Sequence, residues 1–232
     1  SRRDAQKNKK FLIEDCSPNV MTHQDLFFKH AKNVLIKMSP MLDISVGLTA
    51  LKHVKTVYIV AVKNEVKELL FHQEKNFIGT ATVQTLNSHP KNTEQFRFET
   101  TEEENSEATF STPKTYLYEP NAAVMKSGAF KLISENFKLD KLDSHTHLYT
   151  SDQRLENFPG KIYAISNVYP YQKKPLKKAI GGLKANVKTR NFSEKTAALK
   201  TLFKLTDGGD LYLFFSSSNG NKIVVEARLN TF

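Results

Sequence analysis

Six consecutive apolar residues, Val57-Tyr-Ile-Val-Ala-Val62, leave this chain few folds to choose from. The run is too short to cross a bilayer as a helix, and if extended it must bury both of its faces. Asn33-Val-Leu-Ile-Lys-Met38 reads as another such strand, and Gly79 to Leu86 as a further one. Between them lie segments with helical spacing: Thr22 to Ala31, with Phe27, Phe28 and Ala31 on one face, then Ile44 to His53, and Glu65 to His72. Doubly apolar strands separated by short helices predict parallel βαβ packing.

The composition then changes. Glu99 to Glu107 holds five glutamates and almost nothing apolar, as expected of a solvated hairpin tip or linker. A new unit follows Pro113. Pro120 suits the first turn of a helix, where its missing N–H costs nothing, and Met125, Ala129, Ile133 and Phe137 recur at helical spacing after it. A loop through His145-Thr-His-Leu-Tyr149 leads to Phe158-Pro-Gly160. Beyond it the reading is a strand from Lys161 to Val168, a helix from Lys173 to Ile180, and a strand from Ala185 to Arg190. Next come a helix capped by Ser193, with Ala198, Leu202 and Leu205 inward, and two strands, Asp210 to Ser217 and Lys222 to Leu229. Asn219-Gly220 between those two is a strong hairpin signal. The C-terminal order is thus β-α-β-α-β-β, a small α+β module behind an α/β region.

Charge separates the parts further. From Gly160 onward there are thirteen Lys/Arg against four Asp/Glu, a net of +9 out of the chain's +10. Because that segment also carries apolar periodicity and turn signals, its charges are mounted on a fold, and a folded polyanion such as structured RNA is the expected partner. No membrane span or signal peptide is expected, and the chain reads as a soluble cytoplasmic protein. Cys16, the single cysteine, cannot form an internal disulfide, so no disulfide-linked partner is expected.

Several residues invite chemistry. Ser39-Pro40-Met41 follows the carboxyl end of a strand, where doubly wound sheets bind ligands, so it is a candidate pocket edge. The plainer reading is a strand-to-helix loop in which Asp43 caps the next helix. Asp143, His145 and His147 alternate as metal ligands can, but no Cys or further His completes a four-ligand set nearby, and a loop that uses them for hydrogen bonding is the favoured reading. No G-x-S-x-G elbow supports a serine hydrolase, and no G-x-G marks a nucleotide loop. Lys173, Lys174, Lys177 and Lys178 cluster on one short helix. Lys184, Lys188 and Arg190 share one face of the strand that follows, if it is extended. Phosphate contact is their natural use, with Tyr169, Tyr171 and Phe192 available to stack on bases. A lysine face that only aids solubility is the alternative.

Scattered along nearly the whole chain are stretches that together resemble a known family. They are Ser1-Arg2-Arg3-Asp4, Ile13-Glu14-Asp15-Cys16-Ser17-Pro18, Ile36 to Asp43, Lys63 to Leu70, Tyr118-Glu119-Pro120-Asn121-Ala122, Thr146 to Asp152, Thr189-Arg190-Asn191-Phe192 and Asp207-Gly208-Gly209-Asp210. In this combination the chain resembles class I S-adenosylmethionine-dependent RNA methyltransferases that carry a ferredoxin-like segment and a C-terminal THUMP-like domain. The resemblance implies the C-terminal half of a Rossmann-like methyltransferase sheet over 1–112, a ferredoxin-like segment over 113–160 and a THUMP-like domain over 161–232. It also implies that Ser1-Arg2-Arg3 is the tail of the family's Asp-Pro-Ser-Arg-Arg motif, which places Arg2 and Arg3 at the edge of the target-base pocket. The Asp-Pro, the glycine-rich loop and the ribose-binding acid of the family are not in this sequence, so the cofactor is expected to bind these residues alone poorly or not at all. A non-enzymatic RNA-binding or assembly module is the competing expectation.

Overall fold

The computed structural model describes residues 13, 14 and 18–230; Arg2, Arg3 and Cys16 lie outside them. The chain forms two compact units. One comprises the residues up to Asn105 together with Asn121–Ala129, and the other comprises Ser106–Pro120 and the residues from Phe130 onward.

The first unit opens with α1 (Val20–His30), whose Asn19 side chain accepts from the Met21 N–H. Next come β1 (Asn33–Met38) and α2 (Ile44–Ala50). β2 (Val54–Val62), β3 (Glu65–Glu74), β4 (Thr82–Ser88) and β5 (Thr93–Glu99) complete a five-stranded sheet of order β1-β3-β2-β4-β5. The parallel packing expected from the sequence holds only for β2 with β4; the other three pairings are antiparallel, so the sheet is mixed.

The difference originates in Glu65–His72, which was expected to be a helix and is strand β3. Lys63 and Asn64 both adopt left-handed backbone (φ 50 and 64), which turns β2 straight back on itself. Leu69, Phe71 and Gln73 then point alternately into the core and are fully buried. The Glu-Val-Lys-Glu-Leu-Leu composition favours a helix locally, but burial of alternate residues outweighs propensities of a few tenths of a kcal/mol per residue. The glutamate-rich stretch forms a short exposed helix, α3 (Thr100–Asn105), rather than a hairpin tip.

The expected single helix after Pro120 is two. Pro120 ends β6 (Tyr116–Pro120), and Asn121 caps α4 (Ala122–Ser127), which belongs to the first unit. Gly128 at φ +78 then breaks the run before α5 (Phe130–Phe137).

In the second unit the expected loop at His145–Tyr149 is instead a hairpin of β7 (Asp140–Asp143) and β8 (Thr146–Ser151). There follow β9 (Gly160–Pro170), α6 (Lys173–Ile180), β10 (Asn186–Thr189), α7 (Thr196–Phe203), β11 (Leu211–Ser218) and β12 (Asn221–Leu229), in the order the spacing predicts. Asn219 and Gly220, at φ 48 and 76, make the expected tight turn. Ser193 does not cap α7; Lys195 occupies that position without a side-chain bond, and the buried face is Leu199 and Phe203, with Leu202 outward.

The seven strands are ordered β10-β11-β12-β9-β6-β8-β7. On one face α6 and α7 bury Leu176, Ile180, Leu199 and Phe203 against Leu213, Phe215 and Val224. The other face curls inward. Leu117, Leu142, Leu148, Tyr163, Phe214 and Val225 form its core. The Asn219 N–H reaches the Leu142 carbonyl (3.0 Å), which joins the β11–β12 turn to β7 at the far edge of the sheet.

Candidate nucleic-acid interface

Helix α6 presents its lysines outward. With Leu176 and Ile180 buried on one side, the helical period leaves Lys173, Lys174, Lys177 and Lys178 all exposed. Among the described residues none of the four is paired with a carboxylate. Lys177 and Lys178 occupy the last turn, where the helix dipole favours positive charge. Lys184, also exposed, lies beside the Gly208–Gly209 turn.

Lys188 and Arg190 were grouped with Lys184 by sequence alternation, but the structure gives them a different setting. Lys188 on edge strand β10 and Arg190 directly after it both reach across the rolled sheet to Glu119 on β6, four strands away in sheet order. Arg190 Nη2 donates to Glu119 Oε1 at 2.6 Å, and Lys188 Nζ donates to Glu119 Oε2. The Tyr163 hydroxyl donates to that same Oε2 (2.9 Å), and Lys188 Nζ also lies 3.0 Å from the hydroxyl. Lys188 sits over the rings of Tyr163, Tyr212 and Phe214 at 5.4, 5.6 and 5.4 Å. Burial pushes the Lys188 ammonium below its ordinary range against the opposing pull of Glu119, and burial next to Glu119 pushes the Tyr163 phenol up, so it stays protonated.

Neighbouring stretches converge on the same place. Asn191 Nδ2 donates to Ser217 Oγ at 2.8 Å and reaches Thr146 Oγ1 at 3.4 Å, while Ser216 Oγ donates to the Arg190 carbonyl. Next to Thr146, His147 stacks on Phe130 with ring centroids 3.6 Å apart, and its Nδ1 is buried without a hydrogen-bond partner. Burial, followed by the charges of Lys141, His145 and Arg190, lowers its pKa to about 4. Thus three of the stretches behind the family resemblance, around Glu119, Thr146 and Arg190, meet at one point although dozens of residues separate them in sequence.

Other expected site residues have other work. Asp143 accepts from the Gly220 N–H (2.8 Å) and the Ser144 N–H (2.7 Å), which pins the β11–β12 turn and lowers its pKa. Among the described residues no three His, Cys, Asp or Glu side chains are grouped to hold a metal ion. Tyr169, Tyr171 and Phe192 pack against the core under the helices, and the two tyrosine hydroxyls bond to Glu226 and Glu194. All three are half-buried. In the first unit, Ser39-Pro40-Met41 does lie at the carboxyl end of β1 and Met41 is 69% exposed. Asp43 next to it caps α2 through the Ser45 N–H at 2.9 Å. Sequence reasoning missed Glu119, Tyr163, Lys161 and Tyr212. A signal for Glu119 existed, since it lies in the Tyr118-Glu119-Pro120-Asn121 stretch.

Residues 116–159 match a ferredoxin-like domain family, and residues 160–228 match a family described as THUMP domain-like. The two matches meet at the first residue of β9. Over most of its length the chain is also similar to a crystal structure from Porphyromonas gingivalis W83 whose protein is named as a candidate methyltransferase. The TM-score is 0.89 at 29% identity, covering 95% of this chain and 57% of that one. This chain therefore spans little more than half the length of that neighbour. A comparison with curated proteins found no match. No helix among the described residues is long and apolar enough to cross a membrane.

Proposed function

We propose that this chain is the C-terminal portion of an S-adenosylmethionine-dependent methyltransferase acting on an RNA base. In this reading residues 1–112 complete a Rossmann-like catalytic sheet, 113–160 form the ferredoxin-like segment and 161–232 hold and present the RNA. The methyltransferase part is supported by the similarity, in backbone and in sequence, to the Porphyromonas structure. The RNA part is carried by one observation: four exposed lysines, none paired with a carboxylate among the described residues, share a helix within the THUMP-like segment.

Features of the first unit support the same reading. Among the described residues β1 pairs only with β3, and an apolar groove of roughly 510 Å³ lined by Leu26, Phe27, Val34 and Leu35 lies beside it, as expected where a sheet continues. Arg2 and Arg3, outside the described residues, and Ser39-Pro40-Met41 would then edge the target pocket. The described residues do not themselves fit the cofactor: the β1–α2 junction, Ser39 to Asp43, has no glycine-rich turn to let a ligand approach the backbone.

Two measurements test the proposal. Calorimetry with S-adenosylmethionine should show binding to the longer natural protein and none to this chain; tight binding by this chain refutes the division. Affinity for a fluorescein-labelled RNA hairpin should fall steeply with salt, and each of Lys173, Lys174, Lys177 or Lys178 changed to Ala should flatten the log–log slope by about one unit. A salt-independent affinity, or none, refutes the RNA reading.

A further inference from the structure

Glu119 is a buried carboxylate set among three cations. Lys188 and Arg190 bond to it directly, and Lys161 is its cross-strand partner on β9. Its charge cancels only one of theirs, so the cluster carries a net positive charge on the sheet face opposite the helices. Arg190 is 39% exposed at its side chain. It donates from Nη2 to Glu119 and from Nη1 to the Thr189 carbonyl, which leaves most of the guanidinium's five N–H groups for another acceptor. Glu119 thereby fixes the guanidinium before any ligand arrives, which removes much of the rotamer entropy that an arginine loses on binding.

We propose that Arg190, flanked by Lys188 and Lys161 and oriented by Glu119, is a seat for one phosphodiester of the RNA backbone. The seat rests on the RNA-binding reading above and is distinct from the α6 lysines. It occupies the sheet face opposite α6, and β10 is the edge strand between them, so an RNA that uses both contacts passes over that edge. Arg190 grips its phosphate through paired N–H groups, whereas the α6 lysines act as point charges.

The test compares three variants of the full chain on the same fluorescein-labelled RNA hairpin across a salt series: Arg190→Lys, Lys161→Ala, and the four α6 lysines changed to Ala together. Arg190→Lys keeps the charge, so a purely electrostatic role predicts unchanged affinity, whereas the seat predicts a loss of about tenfold or more from the lost bidentate geometry. Lys161 is exposed and makes no ion pair with Glu119 within 4 Å, so Lys161→Ala should leave folding intact and flatten the salt slope by about one unit. If the α6 variant weakens binding while Arg190→Lys and Lys161→Ala bind like the parent, the seat is refuted and the RNA reading stands. If the parent binds no RNA, both fail.

Discussion

Glu119→Gln gives the sharpest stability test, because it preserves shape and removes only the charge that two cations share. Removing one partner of a fully buried ion pair costs about 3–5 kcal/mol, since the remaining charge loses its compensation. Glu119 is 8% exposed at its side chain, but Lys188 and Arg190 are 24% and 39% exposed, so water screens the abandoned cations. We therefore expect about 2–3 kcal/mol, a sizeable part of the stability of a small domain. With a urea slope of about 1–3 kcal/mol per molar, the midpoint of the second unit should drop by about 1 M. The chain has no tryptophan, so far-UV circular dichroism is the practical probe. Hydrogen exchange on β6 and β10 should show faster opening of both strands, with β2 and β3 of the first unit unaffected. Lys188→Met should cost less, because it leaves Glu119 with Arg190. The double variant should cost less than the sum of the two singles, since the residues are in contact. An unchanged midpoint, or strictly additive costs, would refute the idea that Glu119 fastens the rolled sheet.

Two further predictions concern the same unit. His147 has a folded pKa of about 4 against an ordinary value of 6.5, so between those values the unfolded chain takes up a proton that the folded state refuses. Stability from this group is therefore complete above pH 6.5 and declines as the pH falls toward 4, by at most about 3 kcal/mol and by about 1–2 after solvent screening. Measured from pH 7 to 4, the unfolding free energy of the parent should fall by about 1–2 kcal/mol more than that of His147→Phe, and parallel profiles would refute this assignment. At Gly160 an added methyl would lie 2.2 Å from the Glu119 carbonyl oxygen and 2.8 Å from Pro120 Cα, both backbone atoms, so β6 and β9 would have to separate. Gly160→Ala should cost about 1–3 kcal/mol or more in a thermal melt, and a melt like the parent's would show that the close approach is not required.

Much of the fold is visible in local pattern, and each failure has a physical cause. The bounds of Asn33–Met38 and Lys173–Ile180 are read to the residue, although the first buries only one face and leaves Leu35 60% exposed where burial of both was expected. Glu65–Glu74 is misread because its helix-favouring residues are overruled by the Lys63-Asn64 turn and by the core that Leu69 and Phe71 complete with distant strands. The helix after Pro120 is misread because Gly128 divides a pattern whose apolar spacing continues across the break. In the first case the core that decides is built with other strands, and in the second a single left-handed glycine ends a helix whose apolar spacing runs on.

The candidate site follows the same logic in charge. Counting lysines and arginines along a segment assigns every one of them to the partner, because the count cannot see a counterion elsewhere in the chain. For the α6 lysines the count holds, since no carboxylate among the described residues pairs with them. For Lys188 and Arg190 the counterion lies 69 and 71 residues upstream, before the basic segment begins. The two groups therefore differ in kind: the α6 lysines are unpaired point charges that would attract any polyanion, while the Glu119 cluster holds a fixed geometry that would position one bound phosphate. A charge-preserving change at Arg190 separates the two, because it alters geometry and leaves the count as it was.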